Sequence, residues 1–432
     1  LAGGCGSRLG ALTRHRCKPA LPFGGRYRSV DFTLSNCVNS GFTRIGVATQ
    51  YRARSLIEHI QQSWWPLLSR ARGECLELWA AEQHEEARWY AGTADAVYQN
   101  LSAIGQHRPR QVLVLAADHV YRMNYAALVA CHRDSGADVT VACQPVPAEQ
   151  ACQFGIMSVA GDEIVAFREK PLGVAGGGDV LASMGVYVFD AERLRSLLDA
   201  DASRSDSRHD FGRDIIPACV QAPGIRVLAY PFRDPCTGGA GYWRDIGTID
   251  AYWSANMELL AREPALDPDD PDWPIWAAPD RVAPTRMAEC AVGRPMRISQ
   301  AIVAGGCRLE GATVYRSIVS GGVRVGAGSV IEDSILLPGA RIGANCHVRK
   351  AIVERGIELP DGCSVGLGTM PAVRETETSP GGVTILSPWA IRQPREPARR
   401  RRTRTDKTSQ TADAADCAGV CQQSGQAHGT LQ

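Results

Sequence analysis

Thr313-Val314-Tyr315-Arg316-Ser317-Ile318 returns 17 residues later as Val330-Ile331-Glu332-Asp333-Ser334-Ile335, and 17 further on as His347-Val348-Arg349-Lys350-Ala351-Ile352. The same step of 17 links Val314, Ile331, Val348 and Val365, then Val325, Ile342 and Leu359, then Gly322, Gly339 and Gly356. A repeat of this length, rich in Val, Ile and Gly, describes one coil of a parallel β-helix with three short faces per turn. Each coil buries its branched side chains only by stacking on the next. Such a domain commonly serves as an assembly surface.

Upstream the period breaks. Pro264, Asp267-Pro268-Asp269-Asp270-Pro271-Asp272, Pro274, Pro279 and Pro284 leave little room for a regular element, so 261–286 reads as a linker. Residues 1–260 read as alternating strands and helices. Apolar runs at Ile45-Gly46-Val47-Ala48, Val112-Leu113-Val114-Leu115, Val139-Thr140-Val141-Ala142 and Val186-Tyr187-Val188-Phe189 alternate with helical stretches around 53–64, 94–106 and 126–135. Continuous apolar strands separated by helices predict an α/β domain on a mostly parallel sheet. Ligands on such sheets bind beyond the carboxyl ends of the strands.

The net charge of +1 divides unevenly: residues 392–432 hold 8 basic and 4 acidic residues, so the tail is +4 and the body −3. A slightly acidic body points away from nucleic acid, and 391–432, with Arg399–Arg402 and Arg404, reads as a basic disordered tail. No apolar run approaches the roughly 18 residues of a membrane span, and no signal-peptide pattern is visible. The 15 cysteines form no paired CxxC sets, which points away from a zinc site and toward reduced thiols in the cytoplasm.

The chain opens Ala2-Gly3-Gly4-Cys5-Gly6-Ser7-Arg8-Leu9, followed by Lys18-Pro19-Ala20. A glycine-dense loop lets backbone N–H groups turn inward around an anion, and the nearby cations suit a polyphosphate. It is neither a P-loop nor a dinucleotide fingerprint, because it lacks Gly-Lys-Ser/Thr and has Leu9 in place of the third glycine. The alternative is a simple turn. A loop of this kind needs a strand before it, and the chain starts at Leu1 without one, so a truncated or mis-set start is expected. Asp118 follows an apolar strand and reads either as a Mg²⁺ ligand or as a turn residue. Asp245, in Tyr242-Trp243-Arg244-Asp245, is a second carboxylate for the same metal or a helix cap. Lys170, in Glu169-Lys170-Pro171, is a phosphate partner or a surface lysine. Gly92-Thr93-Ala94-Asp95-Ala96 is a compact turn into a helix, suited to nucleotide contact or to capping.

In order and phrasing these segments resemble the sugar-phosphate nucleotidyltransferases, and more closely the bacterial glucose-1-phosphate adenylyltransferases. The phrases that carry the resemblance are Ser29-Val30-Asp31-Phe32-Thr33-Leu34-Ser35-Asn36-Cys37, Trp89-Tyr90-Ala91-Gly92-Thr93-Ala94-Asp95-Ala96, Leu181-Ala182-Ser183-Met184-Gly185 and Tyr242-Trp243-Arg244-Asp245. The resemblance implies a nucleotidyltransferase domain over 1–260 and a left-handed β-helix over 287–390. It implies adenylyl transfer from ATP to α-D-glucose 1-phosphate, giving ADP-glucose and pyrophosphate for glycogen synthesis. Arg8, Lys18, Asp118 and Asp245 are the implied catalytic residues, with Asp118 and Asp245 on Mg²⁺. Gly3, Gly4, Gly6, Gln83 and Gly92 would line ATP. Tyr90, Gly155, Glu169, Lys170 and Ser183 would hold glucose 1-phosphate. A homotetramer answering to metabolite effectors is also implied.

Some positions depart from the family pattern. Cys5 replaces a frequent Arg, and Ala117 a frequent Gly. His15 and Pro22 stand where relatives activated by fructose 1,6-bisphosphate carry Lys and His, although Arg16 and Arg28 remain, so a weaker response to that effector is expected. Rival readings are a sister enzyme with another nucleotide or sugar, a non-catalytic regulatory subunit, and a β-helix acyltransferase using His347.

Overall fold

The computed structural model describes residues 1–4, 6–68, 70–81, 89–173, 177–277, 282–290, 293–366 and 377–387. The tail 391–432, Cys5 and Gln83 lie outside the described residues.

In the first domain each apolar run becomes a strand: Arg44–Thr49, Gln111–Leu115, Val139–Pro147 and Asp179–Asp190. Arg44–Thr49 pairs in parallel with Cys75–Ala80, and Val139–Pro147 pairs in parallel with Val227–Pro231. Asp179–Asp190 departs from the parallel sense, running antiparallel between Gln111–Leu115 and Val139–Pro147. It returns from the antiparallel pair Gly155–Ala160 and Glu163–Glu169, which sets its direction. Helices Arg54–Ser63 and Tyr125–Ser135 fall where the helical stretches lie. The stretch 94–106 breaks into Thr93–Tyr98 and Leu101–Gln106, where the Asn100 side chain bonds the Ala96 carbonyl at 2.8 Å in competition with the backbone.

Strands Arg44–Thr49 and Gln111–Leu115 face each other across a seam that the chain start enters. Ala2 N donates to Ala48 O at 2.9 Å, Leu1 N donates to Leu115 O at 2.7 Å, and Ala117 N donates to Leu1 O at 3.2 Å. The glycine loop therefore leaves the sheet at the carboxyl ends of both strands.

The repeat stacks as its spacing implies. Ile318 pairs with Ile335, Ile335 with Ile352 and Ile352 with Ile385. Val314, Ile331, Val348 and Val365 form a second column, and Val325, Ile342 and Leu359 a third. Gly322, Gly339 and Gly356 turn the corners at φ 71, 73 and 68°, where a Cβ would strain the backbone.

The isoleucine column is shared between the domains: Ile318, Ile335, Ile352 and Ile385 lie in one buried cluster with Leu9, Leu12, Phe23, Phe32 and Tyr252. The stretch read as a linker is itself anchored, with Leu266, Trp273 and Ile275 buried. Trp273 Nε1 donates to Asn36 Oδ1 at 2.9 Å, and buried Arg122 meets Asp234 at 3.2 Å and Asp270 at 2.5 Å.

Arg16 closes the domain contact on Glu354 at 2.8 Å, both side chains nearly buried. Burial pushes the Glu354 carboxyl up even though Arg16 opposes it. Removing one partner of a buried pair strands the other, so Arg16→Ala is expected to cost about 3–5 kcal/mol. A carboxyl whose folded pKa exceeds its unfolded value binds more protons when folded, so stability falls as pH rises above about 4.5. The Arg16→Ala deficit, read from urea midpoints, should therefore be larger at pH 8 than at pH 5.

Candidate functional site

The glycine loop runs into a tight turn, Ser7–Thr13, entered by Gly6 in the left-handed region and kinked at Gly10. A Cβ on Gly6 would sit 3.0 Å from Thr13 Cγ2, and Thr13 Oγ1 donates to Gly6 O at 2.9 Å. Buried Leu9 and Leu12 fix the turn to the core. Arg8, half exposed, lines the cleft.

Two short strands bring the carboxylates together. His119–Tyr121 pairs antiparallel with Trp243–Asp245, and the register sets Asp245 opposite His119. Asp118, His119 and Asp245 then present ligand atoms that all lie within 4.8 Å of one another. Lys18, almost fully buried, lies between the carboxylates: its ammonium donates to Asp118 Oδ2 at 3.0 Å and to Asp245 Oδ1. Burial opposes the Lys18 charge, but Asp118 and Asp245 outweigh it and raise its pKa. Burial likewise opposes ionisation of Asp118, and Lys18 and His119 outweigh it, holding that carboxyl well below the usual range. Arg8 approaches Asp245 Oδ2 at 3.7 Å across Gly247, where a Cβ would meet the guanidinium at 2.8 Å.

Across the cleft, Gly155 pairs with Glu169 in register, and its missing side chain makes room for Phe167 and Glu169. Lys170 Nζ meets Glu169 Oε1 at 3.0 Å and is half exposed. Ser183 stands at a register shift in Asp179–Asp190, next to Gly185 at φ 67°. That bulge turns the serine toward the cleft. The Tyr90 hydroxyl bonds Trp79 O at 3.3 Å and Asn100 Nδ2 at 3.0 Å, while Gln50 holds its backbone through Tyr90 N at 2.6 Å.

One cleft of about 540 Å³ is lined by Gly3, Gly4, Gly6, Arg8, Lys18, Tyr90, Gly92, Asp118, Gly155, Glu169, Lys170, Ser183 and Asp245. Sequence reading named all of these and Gln83, and missed Asp210, Phe211 and Gly212, which line the same cleft. Asp210 accepts from Thr93 Oγ1 at 2.9 Å and from the amides of Gly212 and Arg213. It thereby joins the Gly92 turn to the opposite wall. An aspartate before Phe-Gly is a common cap, so its signal in the sequence is faint.

Gly92 packs against that wall so closely that a Cβ would lie 2.2 Å from His209 O and 2.4 Å from Arg208 O. Both neighbours are backbone and cannot rotate away. Gly92→Ala should lower stability by about 1–3 kcal/mol and weaken nucleotide binding together, read by thermal unfolding and by ATP titration.

The nucleotidyl transferase family profile matches residues 1–262, and the GlmU-like C-terminal hexapeptide profile, of the left-handed β-helix type, matches 283–386. The chain is 47% identical over 393 residues to glucose-1-phosphate adenylyltransferase 2 of Alkalilimnicola ehrlichii, covering 90% of this chain and 92% of the relative. It is 45% identical to the glucose-1-phosphate adenylyltransferase of Nitrosospira multiformis, covering 91% and 94%, and 45% identical to that of Paramagnetospirillum magneticum, covering 90% and 92%. Among the described residues no helix is long and apolar enough to cross a membrane. With both domains matched and aligned relatives spanning nearly their whole length, the chain belongs to the glucose-1-phosphate adenylyltransferase family.

Proposed function

We infer that this chain transfers the adenylyl group of ATP to α-D-glucose 1-phosphate, giving ADP-glucose and pyrophosphate, and that the reaction runs in the cleft between the glycine loop and Lys170. The observation that carries this reading is the convergence of Lys18, Asp118 and Asp245 on one point in the cleft that Gly3, Gly4 and Gly6 also line. A phosphate oxygen of the sugar phosphate attacks the α-phosphorus of ATP, and the bond to pyrophosphate breaks. The nucleophile arrives already ionised, so the chain needs to position and to neutralise charge rather than to remove a proton.

Asp118 and Asp245 are the residues that would hold Mg²⁺. What supports the fit is Lys18, whose ammonium rests on both carboxylates. Two carboxylates with room for phosphate oxygens are a hard-cation donor set. When bound, the ion neutralises charge on the phosphates. The remaining roles belong to side chains. Lys18 and Arg8 stabilise the triphosphate and the departing pyrophosphate, and the amides of Gly3, Gly4 and Gly6 face the nucleotide phosphates. Lys170, oriented by Glu169, takes the sugar phosphate, and Ser183 and Gly155 shape the sugar subsite. Tyr90 contributes its ring and backbone, since its hydroxyl is engaged by Trp79 and Asn100.

The test is pyrophosphate release from ATP and glucose 1-phosphate, with a panel of other nucleotides as control. Asp118→Asn and Asp245→Asn should each lower kcat by about 100-fold or more with the fold retained by circular dichroism. Wild-type turnover in either would remove the metal assignment.

The same reading includes a homotetramer and a muted effector response. Exposed Met287, Ile298 and Tyr315 on the β-helix support assembly. At the position of the effector contacts, Arg16 is engaged by Glu354 at 2.8 Å and Arg28 by Ser55 O at 2.9 Å. Fructose 1,6-bisphosphate should therefore activate by less than the roughly 5-fold of an ordinary allosteric coupling, measured as the rate with and without it.

A further inference from the structure

Away from the cleft, Cys75, Glu77, Trp79 and His107 come together where strand Cys75–Ala80 meets the end of helix Leu101–Gln106. Cys75, Glu77 and His107 have no part in the chemistry above. We propose that Cys75, Glu77 and His107 form a zinc site.

Cys75 and Glu77 stand two apart on one strand, so they share a face. His107 caps the C-terminus of helix Leu101–Gln106 and meets them there. The thiol sulfur, a carboxylate oxygen and an imidazole nitrogen all lie within 4.8 Å of one another. His107 Nε2 and Glu77 Oε1 are 3.4 Å apart, long for a hydrogen bond. That separation matches the edge of a tetrahedron with bonds of about 2.0–2.1 Å, the zinc distances to nitrogen and oxygen. The other Glu77 oxygen accepts from Trp79 Nε1 at 3.1 Å, an outer contact that aims the carboxylate. The Trp79 ring in turn lies against Gly46, where a Cβ would be 2.0 Å from it.

One sulfur, one nitrogen and one oxygen make a borderline-soft set, which selects zinc over Mg²⁺. Three protein ligands leave a fourth position open to water. On binding, the Cys75 thiol gives its proton to solvent and the thiolate sulfur bonds the ion. The ion then ties strand Cys75–Ala80 to the end of helix Leu101–Gln106. The proposal does not depend on which sugar nucleotide the chain makes.

The test uses the full chain, stripped with chelator and titrated with Co²⁺ as a spectroscopic substitute for zinc. One equivalent should produce a thiolate-to-cobalt charge-transfer band and the intense visible bands of a tetrahedral ion. Zn²⁺ should bleach both, and millimolar Mg²⁺ neither. Cys75→Ala should abolish the charge-transfer band, and His107→Gln should weaken binding by about 10-fold or more. Pyrophosphate release should remain at the wild-type rate in both. Absence of the thiolate band from the wild type, or a band that survives both substitutions and so belongs to other cysteines, would overturn the proposal. Should one variant fail to fold, the response of the band in the other decides between these outcomes.

Discussion

The turn that follows the glycine loop shares its core with the β-helix, and this constraint organises the molecule. Leu9 and Leu12 are fully buried, and the cluster that buries them holds Ile318, Ile335, Ile352 and Ile385 from the β-helix. The same turn is gripped from outside: Glu377 accepts from Ala11 N at 3.0 Å. Helix Ile249–Glu258, which starts just after Asp245, is tied down in parallel. Asp250 accepts from Gly381 N at 3.0 Å, and Trp253 Nε1 donates to Asp333 O at 2.8 Å. The segments that flank the charge cluster of Lys18, Asp118 and Asp245 therefore rest on the second domain.

Within that frame, charge does the local work. A buried ammonium is costly unless paired, and Lys18 is stabilised by Asp118 and Asp245 together. The two aspartates, like charges placed close, are made tolerable by the lysine between them. The carboxylates hold the charge on Lys18, and Lys18 in turn holds Asp118 ionised.

The β-helix was legible because its sequence period is its stacking register: residues 17 apart in the chain are hydrogen-bonded neighbours in space. The strands of the first domain were legible as apolar runs, but such a run carries no direction, and Asp179–Asp190 turned out antiparallel. The glycine loop was ambiguous alone and gained meaning from Asp118, Lys170 and Asp245, which the fold brings to one cleft. Less visible were contacts made by isolated residues. Asp210 acts through one turn and Thr93, 117 positions away. Cys75, Glu77 and His107 escape a search for paired cysteines, because one ligand lies on another element. Leu266, Trp273 and Ile275 stand alone among prolines and aspartates, with no period to announce a buried face.

That last stretch alters how the protein would come apart. By composition, 264–277 is the place where a protease should find the chain loose. Instead Trp273 is seated on Asn36, Trp276 N donates to Ser35 Oγ at 2.8 Å, and Tyr27 donates to Asp269 at 2.7 Å. Cleavage there requires first lifting the strap from helix Ser29–Asn39, which exposes the core under the turn after the glycine loop. Residues 264–277 are thus held by the packing that also seats the turn after the glycine loop, so loosening of that packing and access for a protease would come as one event.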